Sequence, residues 1–233
     1  GDPFWGPRFY AYATNSLTLA AITAVLLVGV GVFLGYARRL DGGPVIRSAL
    51  QVASLGYAVP GAVIAIGVLV PLSALDNTVD AWMRAAFGVS TGLLLTGTML
   101  ALLFAYVVRF LAVALSTIEA GLARIPPSLD NAARSLGMAP GRALVAVHLP
   151  LMRSSLLSAA IFVFADVMKE LPATLLVRPF NLDTLAIRTF RLAADGRLAE
   201  ASTAALCIVA VGIIPVILLS RAMNERPSVT QMP

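Results

Sequence analysis

Long stretches of this 233-residue chain contain no Asp, Glu, Lys or Arg, and they restrict the folds that it can adopt. The charge-free runs cover residues 9–37, 48–75, 85–108 and 201–220. A helix needs about 20 apolar residues to cross a hydrocarbon core of about 30 Å. Because a helix also satisfies its own backbone hydrogen bonds, each run is suited to one membrane crossing.

A fifth apolar stretch, residues 149–177, carries charges only toward its two ends. With 59% hydrophobic and 12% charged residues and a mean hydropathy of +0.88, the chain is too apolar for a soluble domain of this size. We therefore predict an all-α membrane protein with about five transmembrane helices. The predicted spans are about 12–37, 49–73, 90–113, 150–173 and 201–220, within a domain of residues 9–225 that precedes a cytoplasmic tail, 226–233.

Pro60 and Gly61 interrupt the predicted second span, and Gly56 and Gly67 lie close to them. Small residues permit close packing of helices, whereas broken helices in transporters often line a substrate path. Both interpretations stay open at this point. The residues that follow, 74–90, are too polar to span, and we expect them to lie at the outer membrane interface.

A polar, arginine-bearing segment separates the third and fourth predicted spans, and residues 131–150 read N-A-A-R-S-L-G-M-A-P-G-R-A-L-V-A-V-H-L-P. Ser128 can cap a helix whose first turn holds Asp130, a favourable place for an anion. Gly137 can end that helix, and Pro140 can begin the next one. The pattern therefore predicts a helix-turn-helix between two membrane spans.

The same segment resembles the EAA loop of the membrane subunits of binding-protein-dependent (type I) ABC importers, E-A-A-x3-G-x9-I-x-L-P. Ala132, Ala133, Gly137, Leu149 and Pro150 match at the family's spacing. Asn131 stands where the family has Glu, and Val147 where it has Ile. Ala132, Ala133 and Leu136 would form a small, smooth face suited to close approach by another protein. The alternative is an ordinary amphipathic connector.

The resemblance implies a fold and a set of partners. It implies the MetI-like transmembrane domain fold, with a coupling loop at about residues 119–149 that docks into the ATPase subunit, which is a dimer. The implied coupling residues are Asn131, Ala132, Ala133, Gly137, Leu149 and Pro150. It further implies a periplasmic substrate-binding protein, a second permease half and a place in the bacterial inner membrane.

The distribution of basic residues favours the coupling loop on the cytoplasmic side, with the N-terminus outside. Basic residues are somewhat more numerous on that predicted face than on the opposite one. The arginines assigned to it are Arg38, Arg39, Arg47, Arg109, Arg124, Arg134, Arg142, Arg153, Arg221 and Arg226.

Residues 168–190, together with residues 56–67, look like the C-terminal half of iron(III)-type ABC importer permeases. Such permeases fuse two related halves, so we expect the second half to be fused upstream in the native chain. The resemblance covers roughly residues 10–225 and implies iron(III) as cargo. Permeases for thiamine, phosphonate and polyamine follow the same plan and remain alternatives.

Asp166, Lys169 and Glu170 lie at helical spacing, so we expect them to share one helix face near the outer end of a span. They either neutralise one another at the membrane surface or line the outer gate and cargo path. Pro172 is a further candidate for the outer gate or cargo path, and it should break the helix there, because proline removes a backbone donor.

The loop after residue 177 is basic. Arg178, Arg188 and Arg191 are candidates for docking a binding protein, since charges at the rim of an interface steer association. The alternative is a solvated loop folded over the helix ends.

The chain has no sequence for its own ATP hydrolysis. A phosphate-binding loop needs Gly-Lys before Ser or Thr, and the single lysine, Lys169, follows Met168. We therefore expect a transporter subunit rather than an enzyme, with no cofactor or metal in this chain and no nucleic-acid partner. The lone His148 is a poor metal ligand candidate. The competing classes are a structural membrane subunit and an ion channel, which would need ionisable groups inside the membrane.

Overall fold

The computed structural model describes residues 7–224, apart from the side chains at positions 7, 214–216 and 218–224. Within that range the regular secondary structure is entirely helical. The α-helices are α1 (Pro7–Leu40), α2 (Pro44–Ser54), α3 (Gly61–Phe87), α4 (Met99–Ala123), α5 (Pro127–Ser135), α6 (Pro140–Ala143), α7 (Leu149–Met168), α8 (Pro172–Val177), α9 (Leu185–Ala194) and α10 (Leu198–Asn224). The predicted tail, 226–233, lies outside the described residues.

Among residues 7–224, four segments are long and apolar enough to cross a membrane: Arg8–Leu40, Gly61–Phe87, Met99–Ala123 and Pro140–Met168. The fifth predicted span corresponds to α10, whose described apolar part is Leu198–Ile213. The prediction of an all-α membrane protein is confirmed.

Three of the long helices, α1, α4 and α7, pack against one another and form the centre of the bundle. Glycines set how closely they approach. A Cβ added at Gly31 of α1 would lie 2.7 Å from Ile118 Cδ1, and one at Gly121 of α4 would lie 2.6 Å from Ser155 Oγ. Small residues at such positions let helix backbones approach in the membrane, where packing rather than the hydrophobic effect drives association.

The second predicted span, 49–73, is wrong in its bounds, because the chain breaks inside it. Helix α2 ends at Ser54, a 3₁₀ turn covers Leu55–Tyr57, and α3 begins only at Gly61. Within the turn, a Cβ added at Gly56 would lie 1.9 Å from the carbonyl oxygen of Val108 in α4. The packing interpretation therefore holds for Gly56, which lets the broken segment press against α4.

The expectation that residues 74–90 form a separate interfacial segment is also wrong, since α3 continues through them to Phe87. The polar side chains there find backbone partners in the following loop. Asp76 is 1% exposed and accepts hydrogen bonds from the N–H groups of residues 94–96. Asp80 accepts from the N–H groups of residues 91 and 92. The loop occupies the first residues of the predicted span 90–113, so α4 begins at Met99 rather than at residue 90.

Candidate functional site

Helix α5 lies in the predicted coupling loop, and both of its ends follow from short-range chemistry. It begins with Pro127 after Pro126 as N-cap, so the predicted capping by Ser128 is wrong. Proline at the first helical position has its φ already suited to the helix. At the other end Gly137 has a φ of +72°, and the Met138 N–H donates to Ala133 O across the turn. This is a left-handed helix terminus, as predicted for Gly137.

The exposed face of α5 differs by one residue from the predicted face. Leu129, Ala132 and Leu136 are exposed, and Leu136 is 77% exposed. They follow one another at helical spacing and form an apolar stripe on the outer side of the helix. Ala133 is only 4% exposed and faces the bundle, so the prediction that it presents itself to a partner is wrong.

The remaining predicted coupling residues lie on the same loop. Asn131 is exposed, and its side-chain oxygen accepts a hydrogen bond from Arg134 one turn later. Leu149 and Pro150 form the first turn of α7, where Leu149 is half-buried and Pro150 is exposed. The coupling role of these residues stays a prediction.

A group that the sequence did not reveal, the Asp130 cluster (Tyr36, Arg39, Asp130 and His148), lies behind α5. Asp130 Oδ2 accepts hydrogen bonds from Arg39 Nε at 3.0 Å and from Nη2 at 2.7 Å. Its other oxygen, Oδ1, lies 2.8 Å from His148 Nε2. Tyr36 stands edge-on to the His148 ring, with the ring centroids 5.1 Å apart. Asp130 sat in the predicted first turn, but its partners are distant in sequence.

Asp130 is ionised in these surroundings. Burial raises the pKa of its carboxyl, but the hydrogen bonds and charge of Arg39, with a smaller contribution from His148, outweigh burial and lower this pKa below its ordinary value. His148 is fully buried, and its Nδ1 lies 3.1 Å from Ala143 O.

A second ion pair lies within the bundle. Arg109 was predicted on the cytoplasmic face but occupies the middle of α4, where its Nε donates to Glu170 Oε2 at 2.9 Å. Its Nη1 donates to Val59 O at 2.8 Å, at the break before α3. Glu170 Oε1 in turn accepts from the Ala173 N–H at 3.0 Å. The third span thus contains a charged side chain. Arg109 is accommodated there because Glu170 and the Val59 carbonyl, both distant in sequence, accept its hydrogen bonds.

The expected common face of Asp166, Lys169 and Glu170 does not form. Helix α7 ends at Met168, and α8 starts at Pro172, which is the predicted break. Lys169 Nζ lies 2.8 Å from Asp166 Oδ1 on the bundle surface. Glu170, only 6% exposed, turns inward because Arg109 and the first turn of α8 bind it.

Asp166 and Lys169 line an open cavity of about 760 Å³ between the 3₁₀ turn, α4 and α7. Its polar lining residues are Ser54, Tyr57, Ser116, Thr117, Asp166 and Lys169. By the helical rise, the α4 residues that line this cavity, 112–117, lie about 20–27 Å from Met99 and about 9–16 Å from Ala123. The cavity is therefore past the middle of α4, on the side of the coupling loop, rather than at the predicted outer end.

A second open cavity, of about 560 Å³, continues along α4 toward the coupling loop. Ser116 lines both cavities. The second cavity contains the ion pair of Arg38 Nη1 and Glu119 Oε1, which are 2.7 Å apart. Polar groups thus follow one face of α4 from the middle of the bundle to the end of α1.

The three arginines proposed for docking have different surroundings. Arg178 has a side chain only 13% exposed, and its Nη1 lies 2.8 Å from Asp183 Oδ1. It holds the loop before α9, so its assignment to a docking surface is wrong. Arg191 Nη1 lies 2.9 Å from Asp183 Oδ2, and the Arg191 side chain is half-exposed. Arg188 stands over the Tyr12 ring at 6.0 Å from its centroid. For these two, docking stays a prediction.

Residues 27–229 match the family model described as "Binding-protein-dependent transport system inner membrane component". The chain belongs to this family. The permease family predicted from the coupling loop is therefore confirmed, and the protein is a multi-pass permease of ABC importers.

Two relatives differ in the cargo that their names give. The putative 2-aminoethylphosphonate transport system permease of Salmonella typhimurium is 28% identical over 206 residues, covering 88% of this chain and 72% of the relative. An Fe(3+)-transport system permease of Haemophilus influenzae is 32% identical over 124 residues, covering 53% of this chain and 24% of the relative. The iron cargo therefore stays a prediction.

Solved structures share the fold at low sequence identity. A bacterial ABC transporter that imports the acidic polysaccharide alginate has a TM-score of 0.74 at 15% identity, covering 98% of this chain and 82% of that chain. The MetNI methionine ABC transporter has a TM-score of 0.68 at 15% identity, covering 94% and 97%. The type I importer fold is thus confirmed.

Proposed function

We propose that this permease is one transmembrane half of an ATP-driven importer in the bacterial inner membrane. It receives cargo from a periplasmic binding protein, pairs with a second permease half and is driven by a separate dimeric ATPase. One observation carries this proposal: α5 presents the exposed stripe of Leu129, Ala132 and Leu136 and is ended by a left-handed Gly137. An amphipathic helix that exposes an apolar stripe is suited to a groove on a partner.

We propose that cargo moves along the two cavities that meet at Ser116 on α4. Both are open to the surface of this half, so a second half would close the path from the other side. The first cavity holds the Asp166–Lys169 pair, and the second holds the Arg38–Glu119 pair. The basic partners of these pairs, Lys169 and Arg38, are largely exposed. Ion pairs that water reaches are weak, so a charged solute can exchange with them at low cost.

We propose a small zwitterion of the 2-aminoethylphosphonate class as the first cargo candidate. Each ion pair along the path offers one positive and one negative side chain, which matches an ammonium and a phosphonate on one solute. The Salmonella relative, which spans most of the chain, supports this choice.

Iron(III) is the second candidate. The Haemophilus relative supports it, and the carboxylates of Asp166 and Glu119 are oxygen ligands of the kind that hard cations prefer.

Uptake in a strain deleted for the permease tests the cargo. The strain is complemented with this chain and its native partners, then supplied separately with labelled 2-aminoethylphosphonate, iron(III), thiamine and a polyamine. We expect uptake of the phosphonate only. Uptake of iron(III) alone supports the second candidate, and uptake of thiamine or polyamine alone overturns both while leaving the importer class intact.

A path variant tests the route. Ser116→Phe should lower uptake strongly at a normal membrane level, because the ring fills the junction of the two cavities. Ser202 is also an exposed helical serine bonded to its own turn, and it lies on α10. Ser202→Phe is therefore the matched control and should leave uptake unchanged. Equal uptake by both variants overturns the route.

Inactivating the partner ATPase distinguishes an importer from an ion channel or a structural membrane subunit. We expect uptake to stop when the Walker lysine of the partner ATPase is replaced. Uptake that continues indicates a channel, and a complex that assembles without any uptake indicates a structural subunit.

Cysteine labelling tests the orientation. In a Cys207→Ala background, Ser128→Cys and Arg142→Cys should resist membrane-impermeant thiol reagents in intact cells. Asn181→Cys should react. Labelling of Ser128→Cys from outside would invert the topology and remove the coupling assignment.

A further inference from the structure

The Asp130 cluster joins segments that are far apart along the chain. Arg39 comes from the end of α1, Asp130 from the first turn of α5, and His148 from the residue before α7. Tyr36 adds a second link, because its hydroxyl donates to Pro140 O at 2.9 Å. The cluster thus ties the predicted coupling loop to α1 as well as to the start of α7.

Arg39 also binds the end of α4. Its Nη1 donates to Leu122 O at 2.5 Å and its Nη2 to Ile125 O at 2.8 Å. Leu122 lies in the last turn of α4, where backbone oxygens lack intrahelical donors, and Ile125 lies two residues after the helix ends. One guanidinium therefore holds the end of α4 and the carboxylate of α5 at the same time.

Helix α5 has two sides with different contacts. Its outer side carries the exposed stripe of Leu129, Ala132 and Leu136, whereas Asp130 and Ala133 face the bundle. Covalently, α5 is joined to its neighbours only by short turns around residues 124–126 and 136–139. Backbone turns alone would let α5 rotate against the spans, so the side-chain contacts of Asp130 decide how firmly it is held.

We propose that Asp130 is a positioning residue that makes α5, the end of α1 and the start of α7 move as one body. The inference rests on the proposed importer function. Force applied to the exposed stripe by an ATPase would pass through Asp130 to Arg39, and so reach α1, a helix without a direct chain connection to the coupling loop. His148 extends the same body to the start of α7, because its buried ring packs edge-on against Tyr36 and its Nε2 lies 2.8 Å from Asp130 Oδ1.

A distance measurement tests the rigid body directly. Spin labels are attached to Leu40→Cys and Ser135→Cys in the full transporter, in a Cys207→Ala background; both positions are exposed. We expect one narrow distance distribution that is the same in the nucleotide-free and ATP-bound states. In Asp130→Asn it should broaden or shift between those states. A wild-type distance that changes on ATP binding overturns the proposal.

Transport per ATP gives the functional readout, measured in proteoliposomes with the ATPase and the binding protein. Asp130→Asn should keep the ATPase bound and hydrolysing but lower uptake per ATP by about tenfold or more, as expected when hydrogen bonds to a charged group are lost. Asp130→Glu should restore part of the uptake. The control is Glu200→Gln, which removes an exposed helical ion pair with Arg197 and should change nothing.

The remaining outcomes also decide the question. If Asp130→Asn lowers the membrane level but leaves uptake per ATP unchanged in the surviving protein, Asp130 is structural only and the proposal falls. Where that variant does not accumulate, Arg39→Lys, which keeps the charge but cannot form both hydrogen bonds to Asp130, is measured in the same way, and unchanged coupling and distance in it overturn the proposal. Absence of uptake by the wild type would instead reject the proposed importer function.

Discussion

Two arginine–carboxylate pairs hold this protein together at different depths. Arg39–Asp130 lies behind the predicted coupling loop, and Arg109–Glu170 lies in the middle of the bundle. Both arginines also donate to backbone carbonyls at helix ends or breaks. Glu170 is 6% exposed, whereas the Asp130 side chain is 24% exposed. An arginine–carboxylate pair therefore joins helices at a buried position in one region and holds a water-accessible loop in the other.

The buried region, which we call the bundle junction, is the meeting point of two broken spans. Arg109 binds Val59 O next to the break before α3, and Glu170 binds the first turn of α8 after the break in α7. Free backbone groups are costly where no water can bind them. The ion pair supplies the missing partners, so we expect changes in the bundle junction to affect folding and changes in the coupling loop to affect transport.

The largest effect is expected at the bundle junction. Arg109→Met leaves Glu170 as an uncompensated buried charge, which costs about 3–5 kcal/mol, and the membrane level and thermal midpoint should fall sharply. The double variant Arg109→Met/Glu170→Gln should recover part of the loss. Lys169→Met removes a pair whose lysine is 67% exposed and should have little effect. A stable Arg109→Met single variant would contradict the structural role of the pair.

A smaller loss is expected from Gly56→Ala in the same region. The added Cβ would meet the Val108 carbonyl oxygen of α4, and overpacking of this kind costs about 1–3 kcal/mol. Gly67 has open space around it, so Gly67→Ala should be neutral or stabilise α3 by about 0.5–1 kcal/mol. Thermal unfolding in detergent measures both. If the two variants melt alike, the close approach at Gly56 is not required.

In the coupling loop, the change Gly137→Ala should alter transport more than folding. A left-handed conformation costs a residue with a Cβ about 1–2 kcal/mol, and Asn tolerates it better. At a near-normal membrane level, we expect uptake to fall more in Gly137→Ala than in Gly137→Asn. Gly137→Glu should abolish uptake, because it also adds a charge to a docking face. Gly141 has open space and no positive φ, so Gly141→Ala is the control. Normal uptake by Gly137→Glu would remove the coupling role.

The smallest effect is the dependence of stability on pH at Asp130. Because its folded-state pKa is lowered from 3.8, its contribution to stability is complete above that value and is lost as the pH falls through the folded-state pKa. The difference in thermal midpoint between the wild type and Asp130→Asn should therefore stay constant from neutral pH to about 5 and then shrink. A difference that grows on acidification would contradict the ionised state of Asp130.

Short-range patterns account for much of the coupling loop but not for its orientation. Gly137 and Pro140 were recognisable because a left-handed helix end and a helix start each depend on one or two residues. Which side of α5 faces the bundle depends on Arg39, 91 residues before Asp130. For that reason Ala133, which shares the inner side with Asp130, was wrongly assigned to the partner face, and His148 was not connected with Asp130.

By itself, the sequence determined that this chain is a helical membrane protein, because its uncharged runs are long enough to span as helices that satisfy their own backbone hydrogen bonds. The resemblance to the permease family came from the spacing of residues 131–150. Only the tertiary structure decided where polar residues lie within those helices. Asp76 is buried in α3 because a returning loop donates to it, and Arg109 remains inside α4 because Glu170 and Val59 accept from it. A polar side chain is tolerated in a span when it has a partner, and those partners come from other helices and loops.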